Sequence, residues 1–126
     1  FGAKGIVPSQ MEATEELHDA TAAGRGYAVA GGVAEAIQKC INEYYPDVEV
    51  KIQHAEGLAD CKKMLTLAKL GRLNGYMIEG MGCPGGCVAG AGTILPIAKA
   101  KQQVVKAKND SEEKVPDKSV IDVDLS

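Results

Sequence analysis

Between Gly31 and Met81 the hydrophobic spacing of the chain switches repeatedly from helical to extended and back, and this alternation limits the fold more than any other feature. Val33, Ala36, Ile37, Cys40, Ile41 and Tyr44 recur at i, i+3, i+4 and i+7, the mark of an amphipathic helix, and Pro46 stops the run. Val48, Val50, Ile52 and His54 then alternate with Glu49, Lys51 and Gln53, which predicts a strand with one wet face. Gly57 turns the chain. Leu58, Cys61, Leu65 and Ala68, widened by Met64 and Leu67, form a second helical stripe that ends near Gly71. Tyr76-Met77-Ile78 reads as a further strand, and Tyr27-Ala28-Val29-Ala30, which runs into Gly31-Gly32, as an earlier one. Strands and helices that alternate through short links favour an α/β fold, a mostly parallel sheet flanked by helices.

The flanks are less regular. Phe1-Gly2-Ala3-Lys4-Gly5 lacks an initial Met and reads as the close of a helix, so the chain is expected to be part of a longer protein. Pro8-Ser9-Gln10-Met11-Glu12 offers a Ser cap with an acid three residues on, which predicts a short helix from Gln10. Ile94, Ile97, Ala98, Val104 and Val105 suggest a last helix, with Lys99, Lys101, Lys106 and Lys108 on its polar side. From Asn109 the chain is charged and turn-rich. Residues 109–126 are expected to form a tail, ordered at 119–123 only where that apolar alternation finds a sheet edge.

Composition narrows the function classes. With 126 residues, 45% of them apolar, the chain has enough material for one domain with a core of Val, Ile, Leu, Met and Ala. Outside 110–126, which hold six acids against two lysines, twelve basic residues face eleven acidic ones, so no basic surface invites nucleic acid. No apolar stretch approaches the roughly 20 residues of a membrane span. Nothing resembling a leader opens the chain, and four cysteines are too few for a disulfide scaffold. A cytoplasmic setting is expected.

In an open α/β sheet, ligands gather beyond the carboxyl ends of the strands. There the chain places Glu79-Gly80-Met81-Gly82-Cys83-Pro84-Gly85-Gly86-Cys87-Val88-Ala89-Gly90-Ala91-Gly92, two thiols set among glycines. A phosphate-binding loop is opposed by the missing third glycine of the dinucleotide pattern and by the absence of Gly-Lys-Ser/Thr. A redox disulfide is opposed by the C-x-x-x-C spacing and the glycines that follow. A plain structural turn leaves the two thiols unexplained. Half of a metal-cluster site accounts for them, and since a cubane iron–sulfur cluster takes four thiolates, the other ligands must come from elsewhere.

The stretch Asn74 to Thr93, above all Glu79-Gly80-Met81-Gly82-Cys83-Pro84-Gly85-Gly86-Cys87, strongly resembles the last cluster-binding motif of FeFe (iron-only) hydrogenases, Glu-x-Met-x-Cys-x-Gly-Gly-Cys. Gly24-Arg25-Gly26-Tyr27-Ala28, Gly31-Gly32-Val33-Ala34-Glu35-Ala36 and Gly57-Leu58-Ala59-Asp60-Cys61 resemble earlier segments of the same catalytic domain, so the likeness runs from Phe1 to about Lys108. It implies that residues 1–108 form the C-terminal lobe of a two-lobed catalytic domain. The intact protein would interconvert protons and dihydrogen at an H-cluster, a 4Fe-4S cubane joined to a di-iron subsite, using electrons from a ferredoxin-type carrier.

By the same resemblance Cys83 ligates the cubane, Cys87 bridges it to the di-iron subsite, Met81 lies beside the di-iron unit, and Gly85 and Gly86 let the backbone approach the cluster. The segments that supply the remaining ligands are absent, so the isolated chain is expected to be inactive and without cluster, and its partner is the N-terminal remainder of the catalytic domain. Gly82, where Ala is usual, and Gly90-Ala91-Gly92-Thr93, in place of Gly-Gly-Gly-x-Pro, depart from the best-known members. A hydrogen-sensing homologue is the alternative inside the family, and a module with no cluster the alternative outside it. Cys40 and Cys61 are expected in the core, His18 in solvent, and His54 as a satisfied core or edge histidine. Glu35 is expected to sit favourably at a helix start, and the late lysines on a solvated face.

Overall fold

The computed structural model describes residues 1–12 and 20–115. His18 and the apolar alternation at 119–123 lie outside the described residues. In chain order the elements are α1 (Ala22–Arg25), α2 (Gly32–Tyr44), β1 (Lys51–Glu56), α3 (Leu58–Lys69), β2 (Tyr76–Met81) and α4 (Ile97–Asn109). Single 3-10 turns lie at Gly2–Lys4, Pro8–Gln10, Gly26–Ala28 and Cys87–Ala89. β1 and β2 pair in parallel, from Lys51 opposite Tyr76 to Glu56 opposite Met81, with α3 as the crossover between them. The fold is α/β, as the alternation predicts.

Helices cover both faces of this two-stranded sheet, as parallel strands require. On one face α3 lays Cys61 against the strand ends, where its Sγ lies 3.8 Å from Ala55 O and 3.6 Å from Met81 O. On the other face the first turn of α2 meets β2, with Val33, Ala34 and Ile37 across a cleft from Met77, Glu79 and Met81. Among the described residues the buried apolar side chains are small: Ala22, Ala23, Ala34, Ala36, Ala55 and Val88.

Several expectations are corrected. Tyr27–Ala30 is not a strand. Thr21 caps α1 by accepting from Gly24 N, the helix tightens into the 3-10 turn Gly26–Ala28, and Val29 N donates to Gly26 O, so the backbone groups a strand would need are spent locally. The helix expected from Gln10 does not begin there: Ser9 lies inside a 3-10 turn that starts at Pro8, makes no side-chain cap and gives way to extended backbone at Met11. β1 starts at Lys51, not Val48, because residues 46 and 47 turn and Val48 N returns to Tyr45 O.

The apolar stripes are real but incompletely covered. On those stripes Ile37 and Leu65 are 39% and 65% exposed and Ile41 is half-buried, and Ile94 precedes α4 in the open. Two strands do not make a sheet wide enough to cover them. The charged segment after Asn109 is held over its first residues: Ser111 is buried and bonds Ala20 O, and Ala22 N and Ala23 N donate to Glu113 O and Lys114 O.

Candidate metal centre

β2 leads straight from Met81 through Gly82 into Cys83, beyond the carboxyl end of the sheet. There Gly86 N donates to Cys83 O at 3.0 Å and closes a turn around Pro84-Gly85, after which Cys87 opens the 3-10 turn Cys87–Ala89. All four cysteines are unbridged thiols. Cys83 is half-buried, its Sγ lying above Gly90, and Cys87 is exposed. Gly85, Gly86 and Val88 are buried, so the loop presents its second thiol outward while its glycine hinge is enclosed.

That hinge rests on the segment misread as a strand. Ala30 N donates to Gly85 O at 3.2 Å, and a Cβ on Gly86 would lie 2.5 Å from Ala30 N and 2.8 Å from Ala28 O. Gly86 also has φ +91°, so close approach and backbone conformation both demand glycine there. Gly85 N donates to Glu56 Oε2 at 2.6 Å. With Gly86 N on Cys83 O, both hinge amides are already bonded within the protein.

Glu79 anchors the other end of the motif. Its carboxylate, only 8% exposed, accepts from Val33 N at 3.0 Å and Ala34 N at 3.3 Å, the first free amides of α2. The residue at the head of that helix is Gly31, which has no side chain to cap it, so a carboxylate from the neighbouring strand fills the role at the positive end of the helix dipole. His54, opposite Glu79 in the register, places Nδ1 3.0 Å from the second oxygen and is a satisfied edge residue, as expected.

The capping role of Glu79 and the bond from Glu56 are not readable from local pattern. Glu79 is visible as the first residue of the motif, but its partners are 45, 46 and 25 positions away, and Glu56 meets Gly85 across 29. Cys40 and Cys61, half-buried on α2 and α3, do not join the loop. Among the described residues no three His, Cys, Asp or Glu side chains gather as metal ligands. The donor set therefore fits two ligands of a larger thiolate cluster and not a self-contained site.

Residues 1–91 match the family described as iron only hydrogenase large subunit, C-terminal domain. The chain belongs to this family. It is a family of hydrogenases, which are oxidoreductases that bind an H-cluster, and the matched residues end four positions beyond Cys87. The match thus takes in α1 to β2 and both loop cysteines, and α4 lies outside it. No match is found among curated proteins. Among the described residues no helix is long and apolar enough to cross a membrane.

Proposed function

We infer that this chain supplies Cys83 and Cys87 to the H-cluster of an FeFe hydrogenase that interconverts protons and dihydrogen in the cytoplasm with electrons from a ferredoxin-type carrier. The observation that supports this reading best is the pair of unbridged thiols on a buried glycine hinge at the carboxyl end of β2, in a chain of this family. Cys83 would hold the cubane and Cys87, the more exposed thiol, would join it to the di-iron subsite. The bound H-cluster supplies the electron store and the iron at which protons and dihydrogen exchange.

The chain's own part is orientation. Cys87 starts a short turn whose next residue, Val88, is buried, so the packing of Val88 helps to orient the Cys87 side chain. Gly86 acts by shape, since a side chain there would strike the backbone of 28–30, Gly85 by its φ of +97°, and the amides of both are engaged. Met81 lines the cleft between α2 and β2, where its thioether would fill space without taking up protons. The remaining thiolates would come from the N-terminal remainder of the catalytic domain, which would also cover the open stripes of α2 and α3. On its own the chain is expected to carry no stoichiometric iron and no hydrogen turnover.

The test is Cys87→Ser in the natural-length protein. A hard alkoxide oxygen replaces a soft bridging thiolate poorly, so turnover should be abolished and the infrared bands of carbonyl and cyanide ligands lost or displaced. Normal bands with retained activity would overturn the ligand assignment.

A further inference from the structure

Gly85 is held by both halves of its peptide environment, and one holder is a charged side chain outside the motif. Its carbonyl accepts from Ala30 N at 3.2 Å, and its N–H donates to Glu56 Oε2 at 2.6 Å. Glu56 is the last residue of β1, paired in register with Met81, the last residue of β2. The two strands therefore end side by side, and the chain leaving β2 must pass over the end of β1.

The contact surface there is built for that passage. Gly57 N donates to Met81 O at 2.8 Å, and Gly57 has φ +84° with the Pro84 ring 3.6 Å from where a Cβ would stand. Pro84 thus lies over a residue that has no side chain, and the Glu56 carboxylate reaches the next amide in the loop. The amide it captures is midway between Cys83 and Cys87. Charged acceptors make shorter and stronger bonds to backbone N–H than neutral ones do, which agrees with the short distance.

We propose that Glu56 is a positioning residue for the two-cysteine loop: by pinning the Gly85 amide to the end of β1 it fixes the separation and direction of the Cys83 and Cys87 thiols. It also withdraws that amide from any bond to a cluster sulfur, so the donors around a cluster at this loop would come from other groups. The part of this inference that concerns the cluster rests on the proposed function. The pin itself does not.

The experiment has an arm for each part. In natural-length apoprotein labelled with 15N-glycine, hydrogen exchange at Gly85 should be about tenfold or more faster in Glu56→Ala than in the parent, the loss of one charge-assisted bond. Glu56→Gln, whose amide oxygen still accepts, should stay within about threefold. Glu56→Asp, which keeps the charge but withdraws the acceptor by one methylene, should exchange like the alanine variant, and Glu49→Gln, an exposed charge elsewhere, like the parent. Equal exchange at Gly85 in parent, alanine and aspartate variants would overturn the proposal.

In cluster-loaded protein the carbonyl and cyanide bands should shift or split in Glu56→Ala and remain a single set in Glu56→Gln. Unchanged bands in the alanine variant, despite faster exchange, would overturn the positioning role. Absence of such bands in parent and variants alike, with the exchange pattern as expected, would sustain the pin and remove the H-cluster reading instead.

Discussion

Glu79 joins more of the site than any other single side chain. One carboxylate caps α2, holds His54 and fixes the strand from which Met81 and Cys83 follow. Glu79→Ala would leave the Val33 and Ala34 amides without their acceptor at a nearly enclosed position. The expected cost is about 2–3 kcal/mol, combining a lost cap with unsatisfied donors. Glu79→Gln keeps one acceptor oxygen and should lose less. Urea midpoints decide it: an unchanged midpoint in the alanine variant would mean that solvent replaces the carboxylate freely. Cys83 and Cys87 stand out in the sequence because their pattern is local, thiols in a loop of glycines. Glu79 was legible only as the first residue of the motif and Glu56 not at all, because each acts on backbone brought to it by the fold.

The elements divide along the same line. α2, α3 and β2 were readable because hydrophobic period and terminating residues agree within each segment, and their limits fall within a few residues of those expected. The Gly26–Ala28 turn was not legible because Tyr-Ala-Val-Ala has strand-like composition, whereas the Thr21 cap commits the chain to helical turns just before it. α4 shows a further tie between elements. Glu35, in the first turn of α2, meets Lys108 of α4 at 2.5 Å and Lys39 at 2.9 Å. Lys108, followed by Lys39, holds the Glu35 carboxyl below its ordinary value of 4.5. A carboxyl whose folded value is depressed stabilises the fold above its unfolded value, and that contribution fades as pH falls through the lower folded value. The parent should therefore lose stability on acidification below about 4.5 more steeply than Glu35→Gln. Parallel acid-denaturation curves for the two proteins would show the pair to be screened away, which its half-exposed setting makes the chief competitor.

At the scale of the whole molecule, the buried apolar residues are mostly alanines while large apolar side chains stand open on several elements: Leu58 and Leu65 on α3 at 78% and 65%, Ile94 before α4 at 97%. Helical periodicity placed Leu58 and Leu65 on one apolar stripe, whereas Ile94, counted into the last helix, falls before it; periodicity shows which residues share a face and not what lies against it. The energetic consequence can be measured. A leucine enclosed in a core loses roughly 2–5 kcal/mol on truncation to alanine, whereas an exposed one changes stability by about 0.5 kcal/mol or less. Leu65→Ala should accordingly leave the urea midpoint of this 126-residue chain nearly unchanged. On the proposed function a remainder of the catalytic domain would close over α3, and in a protein that carries it the same substitution should cost at least about 2 kcal/mol. A small cost in both would mean that this face of α3 stays in water, and the covering of the stripes would have to be sought on α2 alone.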